Sequence, residues 1–123
     1  MAVANQTKTL LSLQARTAVA VSADQTNRYH RGVRVHVNVT VDPAAASITV
    51  TIQGKDAITG DDYALLAGSA IAATGDTYYV VYPGATVTAN VSANLALPPV
   101  WRVSVAVADA DSLTYGITAE LLN

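Results

Sequence analysis

From Val33 to Val41 apolar and polar residues alternate without a break: Val33, Val35, Val37, Val39 and Val41 against Arg34, His36, Asn38 and Thr40. A period of two puts each set on its own face of an extended chain, and β-branched valine suits a pleated, half-buried surface. The same alternation returns three times. Ile48, Val50 and Ile52 alternate with Thr49, Thr51 and Gln53; Trp101, Val103, Val105 and Val107 with Arg102, Ser104 and Ala106; Leu113, Tyr115, Ile117, Ala119 and Leu121 with Thr114, Gly116, Thr118 and Glu120. Shorter strands are predicted at Lys8–Leu13, Arg16–Ser22, Tyr63–Ala67, Thr77–Tyr82 and Thr86–Val91, and a helical turn over Ala67–Ala73. Asp, Asn, Gly and Pro clusters between them supply the turns: Asp24–Asn27, Asp42-Pro43, Thr59–Asp62, Thr74–Asp76, Pro83-Gly84, Pro98-Pro99 and Asp109–Ser112. Strands this short, with turns this regular, predict an all-β, single-domain antiparallel β-sandwich of about eight strands, jelly-roll or Ig-like. Residues 1–8 read as a flexible N-terminal arm and 9–123 as the sandwich domain.

Composition adds one unusual feature. Only 13% of the 123 residues are charged, against about 25% in ordinary soluble domains. The outward strand positions carry Thr, Ser, Ala and Asn in place of Lys or Glu. Long strands with few edge charges invite pairing with another chain, so two readings stand open: a Thr-rich β-domain that stays monomeric, or burial in a symmetric oligomer or larger assembly. The net charge of −2 excludes a general polyanion-binding surface, and no direct nucleic-acid contact is expected. No apolar run approaches the ~18 residues of a membrane-spanning helix. Met1–Thr7 lacks a basic residue and Gln14 and Arg16 interrupt the apolar segment after Leu10, so the start reads as mature sequence. Without cysteine there is no disulfide, thiolate metal site or cysteine nucleophile.

Charge concentrates between Arg28 and His36, which holds three of the seven basic residues and both histidines. Arg28, His30, Arg31, Arg34 and His36 are the candidate partner-contact residues, because arginine forks match carboxylates and phosphates. Two readings stand open for them: a patch that binds an acidic surface, or a solvated face paired with nearby aspartates. His30 and His36 lie about 20 Å apart along an extended chain and do not share a metal. Asp56, Asp61 and Asp62 lack the alternating ligand spacing and closing Glu of an EF-hand loop. No Gly-x-Ser-x-Gly elbow and no glycine-rich phosphate loop occur. No catalytic, cofactor or metal site is expected, and the chain is read as a non-enzyme. Tyr78 and Tyr82 alternate with Tyr79, so one side of that strand must be core, and Trp101 shares its face with valines.

Several stretches together resemble a known protein type: Ser22–Asn27 leading into Arg31-Gly32-Val33, Thr51–Asp56 with Thr59-Gly60 and Tyr63–Leu66, then Tyr82-Pro83-Gly84 and Leu97–Val103. Their order is similar to that in small β-rich structural proteins of tailed bacteriophages, and the likeness runs from about Thr9 onward. It implies a virion component made in the host cytoplasm and placed on the capsid surface. The type implied is a capsid decoration (cement) protein that forms homotrimers and binds the major capsid protein. A receptor- or carbohydrate-binding module and a tail or neck connector are the alternatives. The extended start, Met1–Lys8, would then reach along a neighbour.

Overall fold

The computed structural model describes residues 4–43 and 46–123, and among them every regular element is a strand. In chain order these are β1 (Gln6–Arg16), β2 (Ala20–Val21), β3 (Gln25–Thr26), β4 (Gly32–Val41) and β5 (Ile48–Lys55). β6 (Asp62–Ala67), β7 (Gly75–Val81), β8 (Ser92–Ala93), β9 (Val100–Val107) and β10 (Leu113–Leu122) follow. One sheet has the order β1-β10-β4-β7-β8; the other is β2-β9-β5-β6, with β3 also pairing β9.

Pairing is nested. β1 lies beside β10, β2 and β3 beside β9, β4 beside β7 and β5 beside β6, all antiparallel; only the short β7–β8 ladder is parallel. The chain is thus one long hairpin rolled up until its limbs alternate between two sheets. That is the jelly-roll arrangement. The immunoglobulin order, which never seats the last strand between the first and the fourth, does not occur.

Alternation accounts for the core. Val33, Val35, Val37 and Val39 of β4 point inward with Tyr115, Ile117, Ala119 and Leu121 of β10 and Tyr79 and Val81 of β7. They meet Ile48, Val50 and Ile52 of β5 and Trp101, Val103 and Val105 of β9. Side chains from both inner faces form one cluster, as sheet-on-sheet packing requires. Val41, placed inward by its period, is half exposed. A register shift between Thr114 and Tyr115, opposite Val41 and Val39, adds a residue to β4 and turns its end outward.

Several expectations need correcting. There is no helical turn at Ala67–Ala73; Ile71 instead bridges to Ile48, its amide and carbonyl both bonded across. Thr86–Val91 forms no strand: Thr88 makes a single bridge to Ser92 and the chain turns over 89–91, where Asn90 takes a left-handed φ of 62° and its Nδ2 donates to the Ala67 carbonyl at 3.0 Å; the strand is Ser92–Ala93. Within Arg16–Ser22, Arg16 ends β1 and only Ala20–Val21 forms a strand of its own, whereas Gln25–Thr26, expected in a turn, pairs with β9. The last three residues of the expected arm are strand: Gln6, Thr7 and Lys8 pair with Leu121, Glu120 and Ala119, while Met1–Val3 lie outside the described residues. β1 keeps a free outer edge and carries two register shifts. Arg16 secures the second, donating to the Ser12 carbonyl (2.7 Å) and the Tyr115 carbonyl (2.8 Å) with its guanidinium over the Tyr115 ring.

Candidate functional site

The five candidate residues fall into two groups. Arg28, His30 and Arg31 lie in the loop that carries the chain from β3 in one sheet to β4 in the other; Arg34 and His36 lie on the outer face of β4. The loop is built around Asn27. Its side chain is buried, at 9% exposure, and uses both halves of the amide: Nδ2 donates to the carbonyls of His30 (2.8 Å) and Leu97 (3.1 Å), and Oδ1 accepts from the His30 amide (3.0 Å). An asparagine suits this place because one short group offers donors and acceptors together. The main chain is tied down on either side. Asn27 N donates to the Pro99 carbonyl (2.7 Å), Arg31 N to the Leu122 carbonyl (2.9 Å), and Leu97 N to the Arg31 carbonyl (2.9 Å).

Gly32 closes the loop where no side chain fits, since a Cβ there would strike the Val81 carbonyl oxygen and the Tyr82 ring. Arg28, Tyr29 and Arg31 therefore stand in solvent on a rigid backbone, Tyr29 at 68% exposure. Among the described residues neither Arg28 nor Arg31 has a carboxylate within ion-pair reach. His30 is turned back, its Nε2 donating to the Ala4 carbonyl at 3.0 Å. The sequence shows Asn27 only as a turn residue; its partner Leu97 is remote in the chain, which hides its role as the loop's anchor.

Arg34 and His36 present a different situation. Register places Arg34 beside Glu120 of β10, His36 beside Tyr78 of β7, and Asn38 beside Asp76. Arg34 Nη2 sits 3.4 Å from Glu120, and His36 Nε2 donates to Asp76 at 2.8 Å. The His36 ring stacks on Tyr78 with centroids 4.6 Å apart, and the Arg34 guanidinium lies 5.3 Å from the same ring. Each of the two side chains has an acidic partner within its own chain, as the reading of a solvated, paired face expects. The two histidines have separate partners and do not converge on one point.

The acidic turn between β5 and β6 also has a definite geometry. Asp56 Oδ1 accepts from the amides of Ile58 (2.8 Å) and Thr59 (3.1 Å), and these bonds hold its carboxyl below the ordinary carboxylate range. Gly60, at φ 79°, donates to the Asp56 carbonyl (2.8 Å), and Asp56 N donates to Asp61 O (2.8 Å). Asp62 pairs with Arg102 at 3.0 Å, and among the described residues no three His, Cys, Asp or Glu side chains are grouped to hold a metal ion. The turn lifts Ile58 clear of the protein at 96% exposure. Pattern reading passes over this residue because a lone apolar side chain in a turn has no period.

The surfaces so arranged can bind through charge and shape: a rigid loop bearing two unpaired guanidiniums and a tyrosine, and a rigid turn bearing an isoleucine between carboxylates. No protein-family model matches the chain, and no curated protein matches it in sequence. Among solved structures it is similar to the SPBc2 prophage-derived protein YomS, known from a crystal structure, at 12% identity and a TM-score of 0.52. The alignment covers 98% of this chain and 97% of the other. The two proteins share a β-sandwich fold from end to end.

Proposed function

We propose that this chain is a structural protein of a bacteriophage particle, and that it acts as a capsid decoration (cement) protein without chemistry of its own. The observation that carries this reading is the fold shared with a prophage-derived protein over nearly the whole of both chains. The jelly roll itself recurs in capsid and lectin domains, and a fold alone does not assign a role. The surface supports the same reading. Outer strand faces are polar but little charged, and two arginines without an ion pair among the described residues, Arg28 and Arg31, sit on a loop held by its own hydrogen bonds before any partner arrives. Preorganisation lowers the ordering cost of association.

In this reading homotrimers bind the major capsid protein at the outer shell. Each contact gains about 25 cal/mol per Å² of apolar surface buried, less the cost of association, and repetition over the lattice multiplies a modest affinity. The test is co-sedimentation of the purified protein with assembled phage heads lacking it. Saturable binding is expected, weakened by raised salt. Failure to bind heads, with binding to a glycan array instead, would replace this reading by the receptor- or carbohydrate-binding one.

A further inference from the structure

We infer that the Ile58 turn of one copy of this chain seats in the hollow beside Tyr29 of another, so that the protein carries both halves of its own subunit contact. The inference rests on the self-association in the reading above. The hollow, of about 230 Å³, is lined by Gln6, Thr26, Arg28, Tyr29, His30 and Leu121. Its walls are mostly apolar and admit the sec-butyl group of an isoleucine. Arg28 stands at its rim, with Arg31 close by in the chain.

Complementarity is what selects a second copy as the occupant. The projecting part is Ile58, with the carboxylates of Asp56 and Asp61 on either side; the receiving part offers Arg28 and Arg31. Among the described residues all four of these charges lack an opposite charge within ion-pair distance in their own chain, as do Lys8, Arg16, Asp42, Asp109 and Asp111, whereas Asp24, Asp62, Asp76 and Glu120 each have one; the Asp56–Asp61 pair is set apart by the projecting Ile58 between them. Two unpaired negative charges on an apolar knob therefore match two unpaired positive charges around an apolar hollow. Both parts are stiffened beforehand by their own hydrogen bonds, the turn through Asp56 and the loop through Asn27. An exposed aliphatic anchor in a desolvated pocket, ringed by polar contacts, is how a small interface concentrates its energy.

Position agrees. Lys55 Nζ pairs with Asp24 Oδ2 at 2.7 Å, and Thr26 and Gly54 pair with Val100 and Trp101, so turn and loop occupy the same end of the sandwich. A contact in which each copy gives its turn to one neighbour and receives another's is head-to-tail, and such contacts form a ring where the rotation between copies closes. A ring of three is the trimer of the proposed function.

Sedimentation velocity of the full chain tests this. The wild type is expected to form a closed oligomer. Ile58→Asp and Arg28→Glu, both at solvent-exposed positions, are each expected to weaken it by about 10- to 100-fold while thermal unfolding stays unchanged. Mixing the two variants gives the decisive reading: one keeps an intact turn, the other an intact hollow, so a 1:1 dimer should form and grow no further. Asp61→Arg combined with Arg28→Glu in one chain should restore the oligomer. A wild type that remains monomeric at millimolar concentration, an oligomer indifferent to Ile58→Asp, or no heterodimer on mixing would overturn the inference. Head binding is read separately, so losing it while the oligomer behaves as described rejects only the capsid role.

Discussion

Replacing Asn27 by alanine should loosen the loop that carries Arg28 and Arg31 and cost a definite amount of stability. The side chain makes three hydrogen bonds, to His30 N, His30 O and Leu97 O, at 2.8–3.1 Å. At about 1 kcal/mol net for each, the loss is about 3 kcal/mol. The Leu97 carbonyl bond lies in buried surroundings, where a group left unpaired carries its full desolvation cost, so the sum is a lower bound more than an upper one. Urea unfolding, followed by the fluorescence of the fully buried Trp101, gives the measurement. With a slope of about 2 kcal/mol per M for a domain this size, the midpoint should fall by about 1.5 M with the slope unchanged. Asn27→Asp keeps the acceptor for His30 N, loses both donations and sets a carboxylate against two carbonyls; it should cost at least as much. A midpoint shift under about 0.5 M for alanine would refute the claim that this one amide holds the loop.

Three further outcomes follow from the same coordinates. Gly32→Ala should destabilise by about 3 kcal/mol or more, because the new Cβ meets the Val81 carbonyl and cannot be relieved by a rotamer change; calorimetry would show it. Tyr79→Phe should leave stability unchanged or raise it by about 1 kcal/mol, since the Tyr79 hydroxyl is buried without a hydrogen-bond partner among the described residues. Burial also raises the Tyr79 and Tyr115 pKa values above 10.0. Their contribution to stability is therefore complete below the unfolded tyrosine pKa and falls as pH rises past it, and Tyr79→Phe should lessen that alkaline loss. Asp56 runs in the opposite sense. Its folded pKa lies below 3.8, so the order it gives the turn is complete above the unfolded value and disappears as pH falls through the folded one. Amide shifts of Ile58 and Thr59 should titrate with a midpoint below 3.8; a midpoint above it would remove the carboxylate from the turn.

Alternation alone was enough to place the core of β4, β5, β9 and β10, because a strand with one face in the core must repeat every second residue. Val33 to Val39 and Leu113 to Leu121 are buried where their period puts them. The same rule put Arg34 and His36 on one outer face, since both are local consequences of geometry along one strand. It could not tell which charges survive pairing. Asp76 and Glu120 reach His36 and Arg34 only because β7 and β10 flank β4, and that is a property of the rolled topology.

The short elements were the least legible. β2, β3 and β8 have two residues each, too few to show a period, and exist because a long neighbour offers them hydrogen bonds. The first eight residues read as an arm; Gln6 to Lys8 are strand because β10 presents an edge to them. Fold class, core and the exposed basic segment were thus present in the linear order of residues, where each depends on near neighbours. Tertiary structure decided the jelly-roll order, the anchoring of Asn27 by Leu97, and the meeting of the Ile58 turn and the Arg28 loop at one end. Each of those joins residues far apart in the chain, and only the closed packing of two sheets brings them within reach.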